Sequence, residues 1–520
     1  MTTERFVLAI DLGTSGPKAG LVSASGRVVD WSFEPVPLLL SPDGGAEQDP
    51  DDWWRALVAA TRRIVDQKHF PLEDIVAVAC TSQWSGTVPV RGSRHLGNAI
   101  IWMDSRGAPE SAGLIRGVPS VDGYSLLKVA RWVRLTGGAP GRSGKDPIAH
   151  ILYLKHNRSE LYESATAFLE PKDYLNLRLT GIPAAGYDSI ALHWVTDNRD
   201  IDRVHYDERL VRLAGIDRTK LPDLRSPADI LGPLLPEVAH ELGLAAGTPV
   251  AMGTPDLHSA AVGSGASRDF RGHLYLGTSS WISCHVPFKK TDLIHAIGSL
   301  PSAVPGRYLV INEQDSAGAC LTYLADNLGF RGDANAGNVY EGFDRVAERV
   351  PAGNSGVIFT PWLNGELSPV DNRHLRAGFF NQSLETTQED LIRAVFEGVA
   401  FNSRWLHSYV EKLTKHRMDD LRAVGGGANS AVWCQIHADV LDRTIHQVKD
   451  PILAGLRGVA FLALAKLGHV QLADIPDLVE IAAVFRPNPD HQAAYDRLYP
   501  EFLNLYKANR RIYARLNRAD

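Results

Sequence analysis

The chain opens on a continuous apolar run, Phe6 to Ile10, that gives way at once to Asp11-Leu12-Gly13-Thr14-Ser15-Gly16. An unbroken short apolar run is the pattern of a buried strand, and the Gly/Ser/Thr stretch after it reads as a tight turn. Lys18 to Ser23 returns as a second strand, Ser25-Gly26 turns again, and Arg27 to Trp31 is a third, so a β-hairpin meander is predicted. The same device recurs in the second half. There Gly272 to Leu276 leads through Gly277-Thr278-Ser279 into Ser280 to Ser283. A second pair of elements matches too. Ile75 to Cys80 runs into Thr81-Ser82-Gln83-Trp84-Ser85-Gly86, and Leu421 to Val424 runs into Gly425-Gly426-Gly427-Ala428-Asn429-Ser430. Two copies of a hairpin followed by a later strand predict a duplicated α/β fold with a cleft between the halves. Helices are expected from Pro50 to about Lys68, from Glu389 to Lys412 and from about Asp490 to Arg518, the first with Asp51 and Asp52 in its opening turn.

Length and composition narrow the class. A chain of 520 residues exceeds one ordinary core, and two domains, 1–262 and 263–520, are expected. The net charge of −6 argues against a nucleic-acid partner. It does not oppose nucleotides, whose phosphates can be held by backbone amides. The four cysteines, Cys80, Cys284, Cys320 and Cys434, never form a CxxC pair, which fits a reducing compartment and gives no zinc pattern. Met1 to Ile10 lacks the apolar length of a signal peptide, and no apolar run approaches a membrane span. A cytoplasmic protein with no membrane partner is the expectation.

The motifs suit phosphoryl transfer, which needs backbone donors, a metal site and a base. The two Gly-Thr-Ser turns can present N–H groups and hydroxyls to phosphate oxygens. Asp11, directly before the first turn, could hold a hydrated Mg²⁺ or merely cap the turn, with Lys18 adding charge. A strand from Pro249 to Met252 delivers Asp256, which could be a base for an alcohol or only a helix cap. His258 reads as a packed or capping histidine. The bare backbone of Gly425 to Gly427 could lie close to an adenosine. No G-x-x-x-x-G-K-[ST], H-R-D or D-F-G sequence occurs, so the P-loop and protein-kinase readings fail.

In order along the chain stand Ile10-Asp11-Leu12-Gly13-Thr14-Ser15 with Lys18, Glu47-Gln48-Asp49-Pro50 with Trp53-Trp54, and Trp102-Met103-Asp104-Ser105-Arg106. Then come Pro171-Lys172-Asp173-Tyr174-Leu175, Gly253 to Asp256, Leu276-Gly277-Thr278-Ser279, Leu363 to Pro369, and Gly425 to Asn429 with Trp433. Together these resemble the FGGY carbohydrate kinases, and among them the xylulokinases, from about Val7 to Gly468. The resemblance implies two ribonuclease-H-like domains of the actin and hexokinase type that close on a small sugar or polyol. It implies ATP and Mg²⁺ as cofactors, Asp256 as the base and, with Asp11, as a metal ligand. Thr14, Ser15, Lys18, Gly277, Thr278 and Ser279 would face the phosphates, and Gly426, Gly427 and Asn429 the adenosine. A homodimer is compatible with it.

The sugar side departs from the pattern. Xylulokinases usually carry Gln-Met-His-Gly where this chain has Gln83-Trp84-Ser85-Gly86, and Asn where it has Leu257; Pro255 also replaces a small residue. Gln83, Trp84 and Ser85 are the candidate substrate contacts, with Trp84 offering a face for the sugar's carbons. Asp188 is a further candidate. Trp102, Asp104 and Arg106 could line the pocket, although an Asp–Arg structural pair is the preferred reading. D-xylulose is the default substrate; ribulose, ribitol, erythritol or glycerol are alternatives. A non-catalytic nucleotide or sugar sensor, or an actin-like filament protein, would use the same scaffold without needing Asp256.

Overall fold

The computed structural model describes residues 4–121, 123–332 and 336–517. Arg518, the expected end of the last helix, lies outside them.

The first half is built on β1 (Phe6–Gly13), β2 (Gly16–Ser23), β3 (Val28–Phe33), α1 (Pro50–Val65), β4 (Ile75–Ser82), α2 (Pro171–Thr180), β5 (Ile230–Pro233), β6 (Pro249–Pro255) and α3 (Asp256–Gly263). The second half carries β7 (Gly272–Leu276), β8 (Ser280–Ser283), α4 (Gln388–Thr414), β9 (Asp420–Val424), β10 (Thr444–Val448), α5 (Ala454–Lys466), β11 (Ile481–Phe485) and α6 (Pro489–Leu516).

Two sheets repeat one plan. The first runs β5-β6-β4-β1-β2-β3 and the second β8-β7-β9-β10-β11. In each, a hairpin pairs antiparallel, its first strand pairs parallel with the later strand, a third parallel strand follows, and an antiparallel strand closes the far edge. The predicted duplication is therefore present in five strands of each sheet, two more than the three per half from which it was inferred, and the first sheet adds β3 at its hairpin edge. β1 and β4 are buried along nearly their whole length, which explains their unbroken apolar runs.

Local chemistry sets the element boundaries. Asp49 caps α1 by accepting from the Asp51 backbone N–H at 2.9 Å, and Pro50 occupies the first turn, where its missing N–H costs nothing. This helix stops at Val65, short of the predicted Lys68, which sits at a positive φ of 54°. A reciprocal cap between Thr387 and Asp390 starts α4.

Two helices, one from each half, pack in a shared core. The upper faces of β1 and β4, through Val7, Ala9, Ala77 and Ala79, share one core with α5, whose sequence belongs to the second half. Across that core α3 and α5 cross at glycines. A Cβ on Gly263 would stand 1.8 Å from the Ala454 carbonyl, and one on Gly458 would stand 1.8 Å from the Ser259 carbonyl. Only glycine permits so close a backbone approach. Ser259 Oγ also donates to the Gly455 carbonyl at 2.6 Å. The junction is short-sided and specific, and the strand ends that carry the candidate chemistry all open beside it.

Candidate active site

Asp11 lies on β1 opposite Lys18 of β2 and beside Thr81 of β4. The register places the lysine where its Nζ donates to Asp11 Oδ2 at 3.1 Å. From the other half, Gly455 near the start of α5 comes so near that a Cβ there would sit 2.9 Å from Asp11 Oδ2. A carboxylate at a helix N-terminus is stabilised by the free N–H groups and the dipole.

Asp256 is the first residue of α3, at the C-terminal end of β6, and its Oδ1 accepts from the Leu257 N–H at 2.8 Å. The carboxyl sits deep in the cleft, yet part of its surface stays open. Burial, then the neighbouring Asp11 and Glu313 charges, push its pKa up to about 7, with Lys18 pulling the other way. A carboxyl poised near neutrality can take a proton from an alcohol and release it again.

The first Gly-Thr-Ser turn is braced from beneath. Trp102 Nε1 donates to Thr14 Oγ1 at 3.0 Å, and Thr14 Oγ1 donates to Gln83 Oε1 at 3.0 Å. Gln83 Nε2 donates to Gln48 Oε1 at 2.9 Å, and Gln48 Nε2 returns to the Thr14 carbonyl at 2.8 Å. Ser15 at the tip is exposed. In the second turn Thr278 is exposed as well, while the Gly277 and Thr278 carbonyls accept from the N–H groups of Gly318 and Ala317, both at 2.8 Å. The glycine loop after β9 leaves Gly426 facing open space, packs Gly427 on Trp433, and exposes Asn429, whose Nδ2 donates to the Gly426 carbonyl at 3.1 Å.

The sugar-side candidates are all engaged with protein partners. Gln83 is 3% exposed with both amide ends committed to Thr14 and Gln48, so it is a strut and not an open contact. Trp84 is 8% exposed; its indole N–H donates to the Ser189 carbonyl at 2.8 Å and its ring meets His258 edge-on at 5.0 Å. Its face is a buried wall, not a free platform. Ser85, at a φ of 64°, donates to the Lys145 carbonyl at 2.7 Å. Asp188 is fully buried and accepts from Thr254 Oγ1 at 2.5 Å and the Ser189 N–H at 2.8 Å, so it faces the protein. Asp104 and Arg106 form the structural pair, 2.6 Å apart and tied to Glu47. His258 is buried, with Nε2 against the Pro301 carbonyl at 3.1 Å.

Sequence reasoning missed Glu313. Its carboxyl lies near Asp256 and within reach of Ser279, and burial together with Asp315 pushes it up to about 7, against the pull of Lys145. No motif marks it. The nearest signal is Glu366 in the Leu363 to Pro369 segment, which accepts from the Asp315 N–H at 3.0 Å and from Asn402 at 2.6 Å and so fixes the loop that carries Glu313.

Two family models cover most of the chain: the N-terminal domain of the FGGY family of carbohydrate kinases over residues 6–263, and its C-terminal domain over 274–467. The chain belongs to the FGGY family of carbohydrate kinases. It is 26% identical to a xylulose kinase of Bacillus subtilis over 96% of this chain and 97% of that protein. A gluconokinase of the same organism is 25% identical over 98% and 97%. The crystal structure of a ligand-bound xylulose kinase from Lactobacillus acidophilus superimposes with a TM-score of 0.86 over 99% of this chain and 100% of the other, at 24% identity. This FGGY protein is thus a sugar kinase on a two-domain scaffold. Relatives with two substrate names leave its sugar open, and no helix among the described residues is long and apolar enough to cross a membrane.

Proposed function

We propose that this kinase transfers the γ-phosphate of ATP to a hydroxyl of a small uncharged sugar, with D-xylulose as the default substrate. The observation that carries the reading is Asp256: a carboxyl at a strand end, beside Asp11, poised near pH 7 by burial and by its acidic neighbours. The sugar hydroxyl gives its proton to Asp256 while its oxygen bonds to the γ-phosphorus. The bond from that phosphorus to the ADP oxygen breaks, and the proton passes from Asp256 to solvent on product release.

The two turns at Thr14-Ser15 and Gly277-Thr278-Ser279 hold the phosphates, and Gly426, Gly427 and Asn429 border the adenosine. Two interacting carboxylates, with Lys18 bonded to Asp11 and, among the described residues, no preformed three-ligand cluster that includes them, suit Mg²⁺, which fills its octahedron with water and phosphate oxygens. Asp11 and Asp256 would hold it, and it would supply charge neutralisation on the phosphates. Around the sugar, Gln83, Trp84 and Ser85 act indirectly by fixing the Thr14 turn, the His258 wall and Lys145. With the lobes divided at 262/263, closure excludes water from the transfer. A cytoplasmic location, where ATP is supplied, fits this reading, as does a homodimer.

The test is ADP release with Mg²⁺–ATP against D-xylulose, ribulose, ribitol, erythritol, glycerol and gluconate, with Asp256→Ala alongside. Turnover of one neutral compound that disappears in the variant supports the reading. Turnover of gluconate alone overturns the substrate, and full activity in the variant overturns the base.

A further inference from the structure

The strand that delivers Asp256 is not regular. β6 pairs with β4 through Val250↔Val78 and Ala251↔Ala79, then resumes at Thr254↔Thr81 and Pro255↔Ser82. Two steps on β4 are matched by three on β6, so one extra residue bulges out at Met252-Gly253. Gly253 takes a φ of 66°, and a Cβ there would stand 1.9 Å from the Cys80 carbonyl. The bulge shifts the register by one residue just before the base and so re-aims everything after it.

A bulge leaves backbone groups unpaired, and inside a core each must find a partner. The Met252 carbonyl finds two, both from α2: Lys172 Nζ at 2.9 Å and Asn176 Nδ2 at 2.7 Å. On the far side of the bulge, Thr254 Oγ1 donates to Asp188. Lys172 is 1% exposed and ion-paired with the fully buried Asp173, whose Oδ1 also meets the Gly186 N–H at 3.4 Å. Asn176 and Asp188 are fully buried as well. Burying a lysine and two carboxyl groups is costly and seldom stabilises a core better than apolar residues would. Their cost is explained if they fix a geometry.

We infer that Lys172, Asn176, Asp188 and Thr254 form a buried clamp that holds the β6 bulge and thereby aims the Asp256 carboxyl. They are positioning residues, since none touches the reacting atoms. The inference rests on Asp256 being the base, and Asp256→Ala is therefore run beside every clamp variant.

Thr254→Val keeps the shape and removes the hydroxyl; Thr254→Ser restores it. Lys172→Met removes the amine, and Lys172→Met with Asp173→Asn removes the pair together in case the single variant fails to fold. With D-xylulose and gluconate as probes, kcat per folded enzyme should fall about 10- to 100-fold in Thr254→Val and in the lysine variants. The KM for ATP should stay within about twofold, because the clamp touches neither turn, and Thr254→Ser should keep kcat within about threefold. A crystal structure of Thr254→Val should show the Met252–Asp256 backbone displaced, whichever sugar is the substrate. An unchanged backbone, an unchanged kcat, or a loss shared equally with ATP affinity overturns the clamp. An active Asp256→Ala overturns the base assignment instead.

Discussion

Replacing Asp256 by Asn separates what the site needs from what the fold tolerates. The carboxyl rises from 3.8 to about 7 in the folded chain. A group whose folded pKa is raised favours the fold in its protonated form. That contribution is complete below the unfolded value and is lost as pH climbs through the folded one. Three units at 1.36 kcal/mol each make the ionised carboxylate a burden of about 4 kcal/mol at pH 8. At pH 5 the unfolded carboxyl is about one unit past its midpoint, and the burden is about 1.5 kcal/mol. Asn stays neutral, keeps an oxygen for the Leu257 N–H, and escapes both. For a chain of this length about 1 °C accompanies each kcal/mol. Asp256→Asn should therefore raise the apparent Tm by about 4 °C at pH 8 and about 1.5 °C at pH 5, while sugar phosphorylation drops at least about 100-fold. Differential scanning calorimetry of the ligand-free protein at the two pH values is the assay. A Tm gain equal at both, or larger at pH 5, would refute a raised carboxyl at this position.

The same electrostatics gives the pH profile of kcat/KM a sign. Glu313→Gln removes a neighbour that raises Asp256 and should move the acid limb to lower pH; Lys18→Met removes a cation that lowers it and should move the limb up. Gly458→Ala places a methyl on the Ser259 carbonyl and should cost about 3 kcal/mol, read as a lower Tm. All four cysteines are buried, with burial pushing each thiol up, so the native protein should stay inert to a chromogenic disulfide reagent until denaturant is added.

What the sequence revealed and what it hid divide along a physical line. The buried hairpins and parallel strands were legible because strands covered on both faces must be apolar throughout, as Phe6 to Ile10 and Ile75 to Cys80 are. The placement of Asp11 and Asp256 at strand ends, and of the two turns between paired strands, was legible because an apolar run followed by a short polar or glycine-bearing stretch marks where a buried strand stops. The sugar side was not. Gln83 and Asp188 are polar residues near a strand end whichever way they point, and only their partners, Gln48 and Thr254, show that they turn inward. Glu313 carries no local pattern, since its position depends on Glu366 and Asn402 far along the chain. The single-residue bulge in β6 is visible only through pairing with β4.

The carboxyls near Asp256 come from different halves of the molecule, which would give the proposed closure a chemical meaning beyond excluding water. Asp11 and Asp256 both ride on the first sheet and its helix, so the field of one on the other is set by β1, β4 and β6 and changes little as the lobes move. Glu313 follows a strand of the second half, Tyr308–Ile311, whose Leu309 packs on Leu257 beside Asp256, and its charge acts on Asp256 from that side. Its effect on the proton affinity of the base therefore depends on how far the lobes stand apart. Under the proposed lobe closure, opening would remove that field, lower the pKa of Asp256 and release its proton, and closing would restore it and make the carboxylate a stronger base when sugar and nucleotide are enclosed. Glu313→Gln uncouples the two, so in that variant the acid limb measured on free enzyme and the limb measured on the saturated complex should move closer together. A gap between the limbs as wide as in the wild type would refute the coupling.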